Sequence, residues 1–218
     1  TICWAVFATF LCNFLGLILA IVINRKETHC KAFWRTCFVI SIAVPQFVSL
    51  LVMRQMFQPQ GAVNNLLLEW GWIDNPLPFW TNTMWARVSV ILINCWVGIP
   101  YTMLQVTGVL QNVPSELYEA AKIDGANRWQ QFWHITLPQL RPTTFFVVIM
   151  LTISGFKVYD QMYMITQGGP GTATMTLVYY IYNVAFVNTP KYGYASAISM
   201  VLVLIVTIIQ FRGSKGEN

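Results

Sequence analysis

Two groups of residues have the types and spacing to do chemistry. The first is Lys157, Tyr159, Asp160, Gln161 and Tyr163: a cation, two phenols, an anion and an amide within seven positions. Charged side chains at the end of a long apolar run are costly in hydrocarbon and by default mark a functional position. Amides and phenols offer hydrogen bonds, and aromatic rings offer apolar faces. This segment, joined by Asn94 and Trp96 from an earlier run, is therefore a candidate lining for a polar pathway. Packing is the competing account: Lys157 and Asp160 stand one turn apart and can form an ion pair, and Asn94 can be a plain interhelix contact. The second group is Glu119, Ala120, Ala121, Asp124 and Gly125, followed by Ile135, Leu137 and Pro138. Its acids, small residues and single glycine describe a surface for another protein rather than a reaction centre. His29 and His134 are isolated from any acid or thiol of ligand spacing, so no catalytic base or metal site is indicated.

The elements that must position these groups follow from composition. Of 218 residues, 56% are hydrophobic and 10% charged, against roughly 25% charged in a soluble domain. A water-soluble fold is excluded, and the chain reads as an all-α, polytopic transmembrane bundle in the lipid bilayer, one domain over residues 1–218. Apolar runs of about 20 residues can cross a hydrocarbon core. Five are predicted: residues 1–23, 37–53 with a kink at Pro45, 88–109, 143–166 extending through Lys157 and Asp160, and 195–211. The five cysteines include no CxxC; Cys3, Cys12, Cys37 and Cys95 fall in apolar runs and read as free buried thiols.

The excess of bases, 13 Lys+Arg against 8 Asp+Glu, forms no basic face, which excludes a nucleic-acid partner. It does fix an orientation. Arg25, Lys26, Lys31, Arg35, Lys122, Arg128, Arg141, Arg212 and Lys215 fall on one side of an alternating topology. The other side has only Lys191 within a connection, with Arg54 and Arg87 at helix ends. The positive-inside rule then predicts an outside start, a cytoplasmic C-terminus, a cytoplasmic loop at residues 111–142 and an outer loop at residues 58–83.

The cytoplasmic loop is patterned. Pro114 suits the start of a helix, with Glu116 and Glu119 toward the positive end of its dipole and Leu117, Ala120, Ala121 and Ile123 on its apolar face. Gly125 can take the left-handed conformation that stops it. Asn127 can cap a second short helix carrying Trp129, Phe132 and Trp133 on one side, with Pro138 and Pro142 breaking the chain before the next span. Periodicity alone fits a protein-docking element and a segment lying flat on the membrane equally.

The spacing EAA, three residues to Gly125, nine more to Ile135, then Leu137-Pro138, here EAAKIDGANRWQQFWHITLP, resembles the EAA motif of permease subunits of ATP-binding-cassette importers. The longer stretches PSELYEAAKIDGANRWQQFWHITLPQLRP, GFKVYDQMYMITQGGP and TLVYYIYNVAF resemble the carbohydrate-importing, maltose-permease-like branch. The resemblance implies a type I importer permease fold, in which a core helix preceding residues 1–23 is absent from this chain. It implies that Glu119, Ala120, Ala121, Asp124, Gly125, Ile135, Leu137 and Pro138 couple to an ATPase. It also implies a second permease subunit, two ATP-binding cassette subunits, an extracellular or periplasmic solute-binding protein, and a bacterial or archaeal plasma membrane. ATP and Mg then act on the partner ATPase, since no GxxxxGK[ST] occurs in this chain. Competing classes are an ion-coupled carrier or channel, which calls for inverted repeats or acid relays, and a membrane-embedded enzyme, which calls for convergent His, Ser or carboxylate groups.

Overall fold

A computed structural model describes residues 1–25, 28–187 and 189–215, the last three by backbone alone; among them all regular structure is helical. Lys26, counted among the cytoplasmic bases, lies outside the described residues, and of Lys215 only the backbone is described. Among the described residues four helices are long and apolar enough to cross a membrane, five if a pair bent by 93° counts as one span.

The centre is one helix pair. Helix α1 (Ile2–Asn24) carries Ala5, Ala8, Cys12, Gly16 and Ala20 as a buried stripe at helical spacing. Without large side chains on this stripe, α5 (Thr83–Asn112) lies close along it. At the crossing, a Cβ on Gly16 would sit 2.6 Å from the Cβ of Thr102. Asn82 caps α5, its Oδ1 accepting from the backbone N–H groups of Met84 and Trp85. At the far end Asn24 donates to Thr107 Oγ1 at 3.0 Å and accepts from Arg35 at 2.6 Å, which knots the ends of three helices.

Between them α2 (Lys31–Ala43) and α3 (Gln46–Met56) meet at 93°. The predicted kink at Pro45 is a full break: proline has no N–H to continue the ladder, and it holds Val44 extended at φ −74° and ψ 132°. The loop at residues 58–83, predicted to lie outside, contains α4 (Ala62–Glu69). It closes on the fully buried Asn64, whose amide donates to the Gln58 and Leu77 carbonyls while its Oδ1 accepts from Leu77 N–H.

The loop predicted to be cytoplasmic, residues 111–142, contains α6 (Ser115–Ile123) and α7 (Arg128–Gln131). Pro138 and Pro142 do not break the chain. A π-helical turn at Phe132–Thr136 leads from α7 into α8 (Leu137–Phe156), giving one helical run from Arg128 to Phe156 that contains both prolines. The turn widens the ladder by one residue, so that Leu137 N–H reaches the Phe132 carbonyl and Pro138 falls where a new helix needs no donor.

The predicted run over 143–166 is corrected at its outer end: α8 stops at Phe156, and Lys157 to Tyr159 leave the helix. The carbonyl of Val158 freed by this break accepts from Thr176 Oγ1 at 2.9 Å. Asp160 then opens a short helix, where a carboxylate meets the positive end of the dipole, continued by a π turn at Met162–Thr166. The segment 168–171 forms turns, as its glycines and proline require. Helix α9 (Leu177–Tyr182) and α10 (Tyr192–Lys215) finish the chain; Ala195 is the one buried side chain among those described in α10. Of the thiols predicted to be buried, Cys12 and Cys95 are, whereas Cys3 and Cys37 are exposed.

Candidate functional site

The break after α8 gathers polar residues that a continuous helix would have spread around its circumference. A cavity of about 490 Å³ opens there between α1, α5 and the end of α8. Asn94, Tyr159, Asp160 and Gln161 all border it, together with Lys157. Gln161 is buried, and its Nε2 donates to Asn94 Oδ1 at 2.8 Å, leaving its own Oε1 buried without a partner. Such an unsatisfied acceptor costs about 1–3 kcal/mol, and it lies beneath the cavity wall rather than open to it.

The ion pair open to Lys157 and Asp160 does not form. Both side chains are exposed, Lys157 closes α8 while Asp160 opens the helix beyond the break, and neither has an ionic partner among the described residues. The cavity therefore presents a cation and an anion separately. Tyr159 faces it from within an aromatic stack, with ring centroids 5.4 Å from Tyr163 and 5.0 Å from Tyr182.

Two residues from the sequence reading lie elsewhere. Trp96 is 48% exposed and borders a different, apolar cavity. Two positions along a helix is more than half a turn, so Trp96 points away from Asn94. Tyr163 reaches the cavity only through its stacking on Tyr159. Conversely, Thr9 and Cys12 of α1, Gln46 of α3 and Tyr101 of α5 contribute to the wall and were not singled out. The signal for the first two is Thr9 and Cys12 on the small-residue stripe of α1; Gln46 gave none.

The second group forms a separate site at the other end of α8. Helix α6 has no buried side chain; Leu117 and Ile123 are exposed, and Glu119 and Ala120 lie open. Its end is fixed by Gly125 at φ +78°, a value costly for any residue with a Cβ. There Gly125 N–H bonds the Lys122 carbonyl and Ala126 N–H the Ala121 carbonyl at 2.8 Å, the paired bonds of a Schellman stop. Asn127 and Gln130 then form a reciprocal capping box, at 2.9 and 2.8 Å. Tyr118 and Thr136 hydroxyls meet at 3.0 Å and tie α6 to the π turn. Asp124, Gly125, Gln131, His134 and Ile135 surround a notch of about 300 Å³ that also includes Ala121. Leu137 and Pro138 lie one turn further, at the start of α8. The aromatic rings of Trp129, Phe132 and Trp133 form a cluster with centroids 5.6–5.8 Å apart. Among the described residues no group of three or more His, Cys, Asp or Glu side chains is placed to hold a metal.

Comparison with known proteins places both sites in one context. Residues 13–212 match the family model described as "Binding-protein-dependent transport system inner membrane component". A lactose transport system permease protein of Rhizobium radiobacter is 35% identical over 199 residues, 90% of this chain and 67% of the relative. A galactooligosaccharides transport system permease protein of Bacillus subtilis is 36% identical over 225 residues. That match takes in 99% of this chain but 53% of the relative, so the chain spans about half its length. Among solved structures, a bacterial ABC transporter involved in import of the acidic polysaccharide alginate superposes with a TM-score of 0.82. It covers 97% of this chain and 77% of its own, at 21% identity, and so speaks for the fold alone.

Proposed function

The chain belongs to the family of binding-protein-dependent transport system inner membrane components, and from that membership we propose that it is the permease subunit of an ATP-driven importer of sugars or related polyols. The observation that carries this reading is the break after α8, which sets the amide residues Asn94 and Gln161, the Tyr159 phenol and two separate charges around a cavity between helices. Hydroxyl-rich solutes can hydrogen-bond to such a polar wall, and Tyr159 offers a ring face. The sugar-transport names of the relatives support the same class.

In this reading the exposed face of α6 seats in an ATPase subunit. Ala120 and Ala121 permit close approach, Glu119 offers a charge, and the Schellman stop at Gly125 holds the helix at a fixed length. ATP and Mg belong to that partner. A second permease subunit faces this one across the pathway, and a solute-binding protein docks on the outer loops. The bases at Arg25, Lys31, Arg35, Arg128 and Arg141 put the loop and the C-terminus in the cytoplasm. The test is reconstitution with the permease mate, ATPase and binding protein in proteoliposomes. Uptake of labelled oligosaccharide that requires ATP and the binding protein is expected; ATP-independent uptake by this subunit alone would overturn the proposal.

A further inference from the structure

Two thiols have been given no role so far. Cys12 on α1 and Cys95 on α5 are 1% and 7% exposed, and their Sγ atoms stand 4.0 Å apart. They lie in a partition between two cavities. Cys12 borders the polar cavity, and Cys95 borders the apolar one, of about 350 Å³, enclosed by α1, α2, α3 and α5. The helices are close here, since a Cβ on Gly98 would come 3.2 Å from that of Cys12. Asn94 Nδ2, the amide whose other atom holds Gln161, donates to Cys12 Sγ at 3.6 Å.

A single buried cysteine is a small apolar filler. Two that face each other from different helices are more, because each sulfur needs to move by only roughly 1 Å to reach the S–S bond length of about 2.05 Å. We infer that Cys12 and Cys95 are a thiol modification site, which closes to a disulfide and staples α1 to α5 in the wall of the solute cavity. The inference that this arrests transport rests on that cavity being the pathway.

The oxidant is a small-molecule disulfide entering through the polar cavity. Cys12 as thiolate attacks one sulfur of the reagent and expels a thiolate, which takes up the Cys12 proton, leaving a mixed disulfide. Cys95 then attacks the Cys12 sulfur and expels the second thiol. The two protein thiols lose two electrons and two protons, and the reagent's disulfide is reduced to two thiols.

The test uses the assembled transporter in proteoliposomes with Cys3, Cys30 and Cys37 replaced by serine, treated with hydroxyethyl disulfide. Mass spectrometry is expected to find the Cys12 and Cys95 peptides linked, with the link released by dithiothreitol and absent in Cys12→Ala and Cys95→Ala. Both thiols remaining free for alkylation, under treatment that modifies Cys30 in the unsubstituted protein, would overturn the site. Uptake is expected to fall at least tenfold on linkage and to recover on reduction. A linked protein transporting at the reduced rate would overturn the staple. Linkage is read without transport, so its absence overturns the site and leaves the pathway reading standing, whereas uptake unaffected by Gln161→Ala in the reduced, unlinked protein would overturn the pathway reading and leave the linkage standing.

Discussion

Gln161 donates from Nε2 to Asn94 Oδ1 across 2.8 Å, and this bond fastens the segment beyond the α8 break to the central helix α5. The two residues are 67 positions apart, and their pairing fixes one edge of the polar cavity. It also leaves Gln161 Oε1 as the unsatisfied acceptor.

Gln161→Ala removes both the acceptor and the strut. One hydrogen bond contributes about 0.5–1.5 kcal/mol net, so uptake efficiency is expected to fall roughly three- to tenfold while membrane insertion is retained. Gln161→Glu keeps an acceptor at Oε1 but loses the amide donor to Asn94, and should perturb the segment more than it perturbs a bound sugar. Initial uptake rates for a panel of oligosaccharides in proteoliposomes check this; equal rates in all three proteins would remove Gln161 from the pathway.

Lys157→Met and Asp160→Asn should act independently. Side chains without a shared partner contribute additively to within about 0.5 kcal/mol. The double variant is therefore expected to change the logarithm of uptake by the sum of the single changes. A double variant substantially better than that sum would restore the ion pair that the structure lacks.

Gly125→Val forces a β-branched side chain to φ +78°, at roughly 1–2 kcal/mol or more. Because a Cβ there meets nothing within 4 Å, the harm falls on the turn and on any partner seated against it, not on packing within the chain. Binding-protein-stimulated ATPase activity should drop at least tenfold with normal insertion. Gly125→Asn, which tolerates the left-handed region, should retain more of it. Equal stimulation in all three proteins counts against a coupling role for the stop.

Gly16→Leu drives a side chain into Thr102 at the α1–α5 crossing. Overpacking of this kind costs about 1–3 kcal/mol, and here neither helix can retreat without opening the small-residue stripe. A lower thermal unfolding temperature in detergent, or loss of monodisperse protein, is the expected result.

Asn64→Ala removes three hydrogen bonds from the centre of the loop at residues 58–83 and leaves the Leu77 N–H unpaired, while the Gln58 and Leu77 carbonyls keep their bonds from the Gly61 and Phe79 N–H groups. Limited proteolysis should cut within residues 58–83 at least severalfold faster, with cleavage elsewhere unchanged.

The main helices were legible because uncharged runs of the right length admit few alternatives, and the Asn127 cap and Gly125 stop were legible because local backbone chemistry determines both. Three features were not. The break at Lys157 depends on Thr176, 18 residues after Val158, which supplies the donor that satisfies the Val158 carbonyl once it leaves the helix. The passage of Pro138 and Pro142 through a continuous helix depends on a π turn, and nothing in FWHIT announces a shift of ladder. Trp96 was grouped with Asn94 by composition, although helical periodicity already turned it away. The polar cavity was thus half visible: its residue types stood in the sequence, but the discontinuity that assembles them did not.

The run from Arg128 to Phe156 has a mechanical consequence. At 1.5 Å per residue its 29 residues make a rod of about 43 Å, with the exposed loop at one end and Leu151, Ile153 and Ser154 in the cavity wall near the other. Such a rod is a lever arm: a few ångströms of sideways displacement at α7 become a tilt, and the cavity wall tilts with it. The π turn at Phe132–Thr136 is its compliant wrist, pinned to α6 by Tyr118. Stiffness between that wrist and Phe156 sets how much of a push at the loop is felt at the cavity.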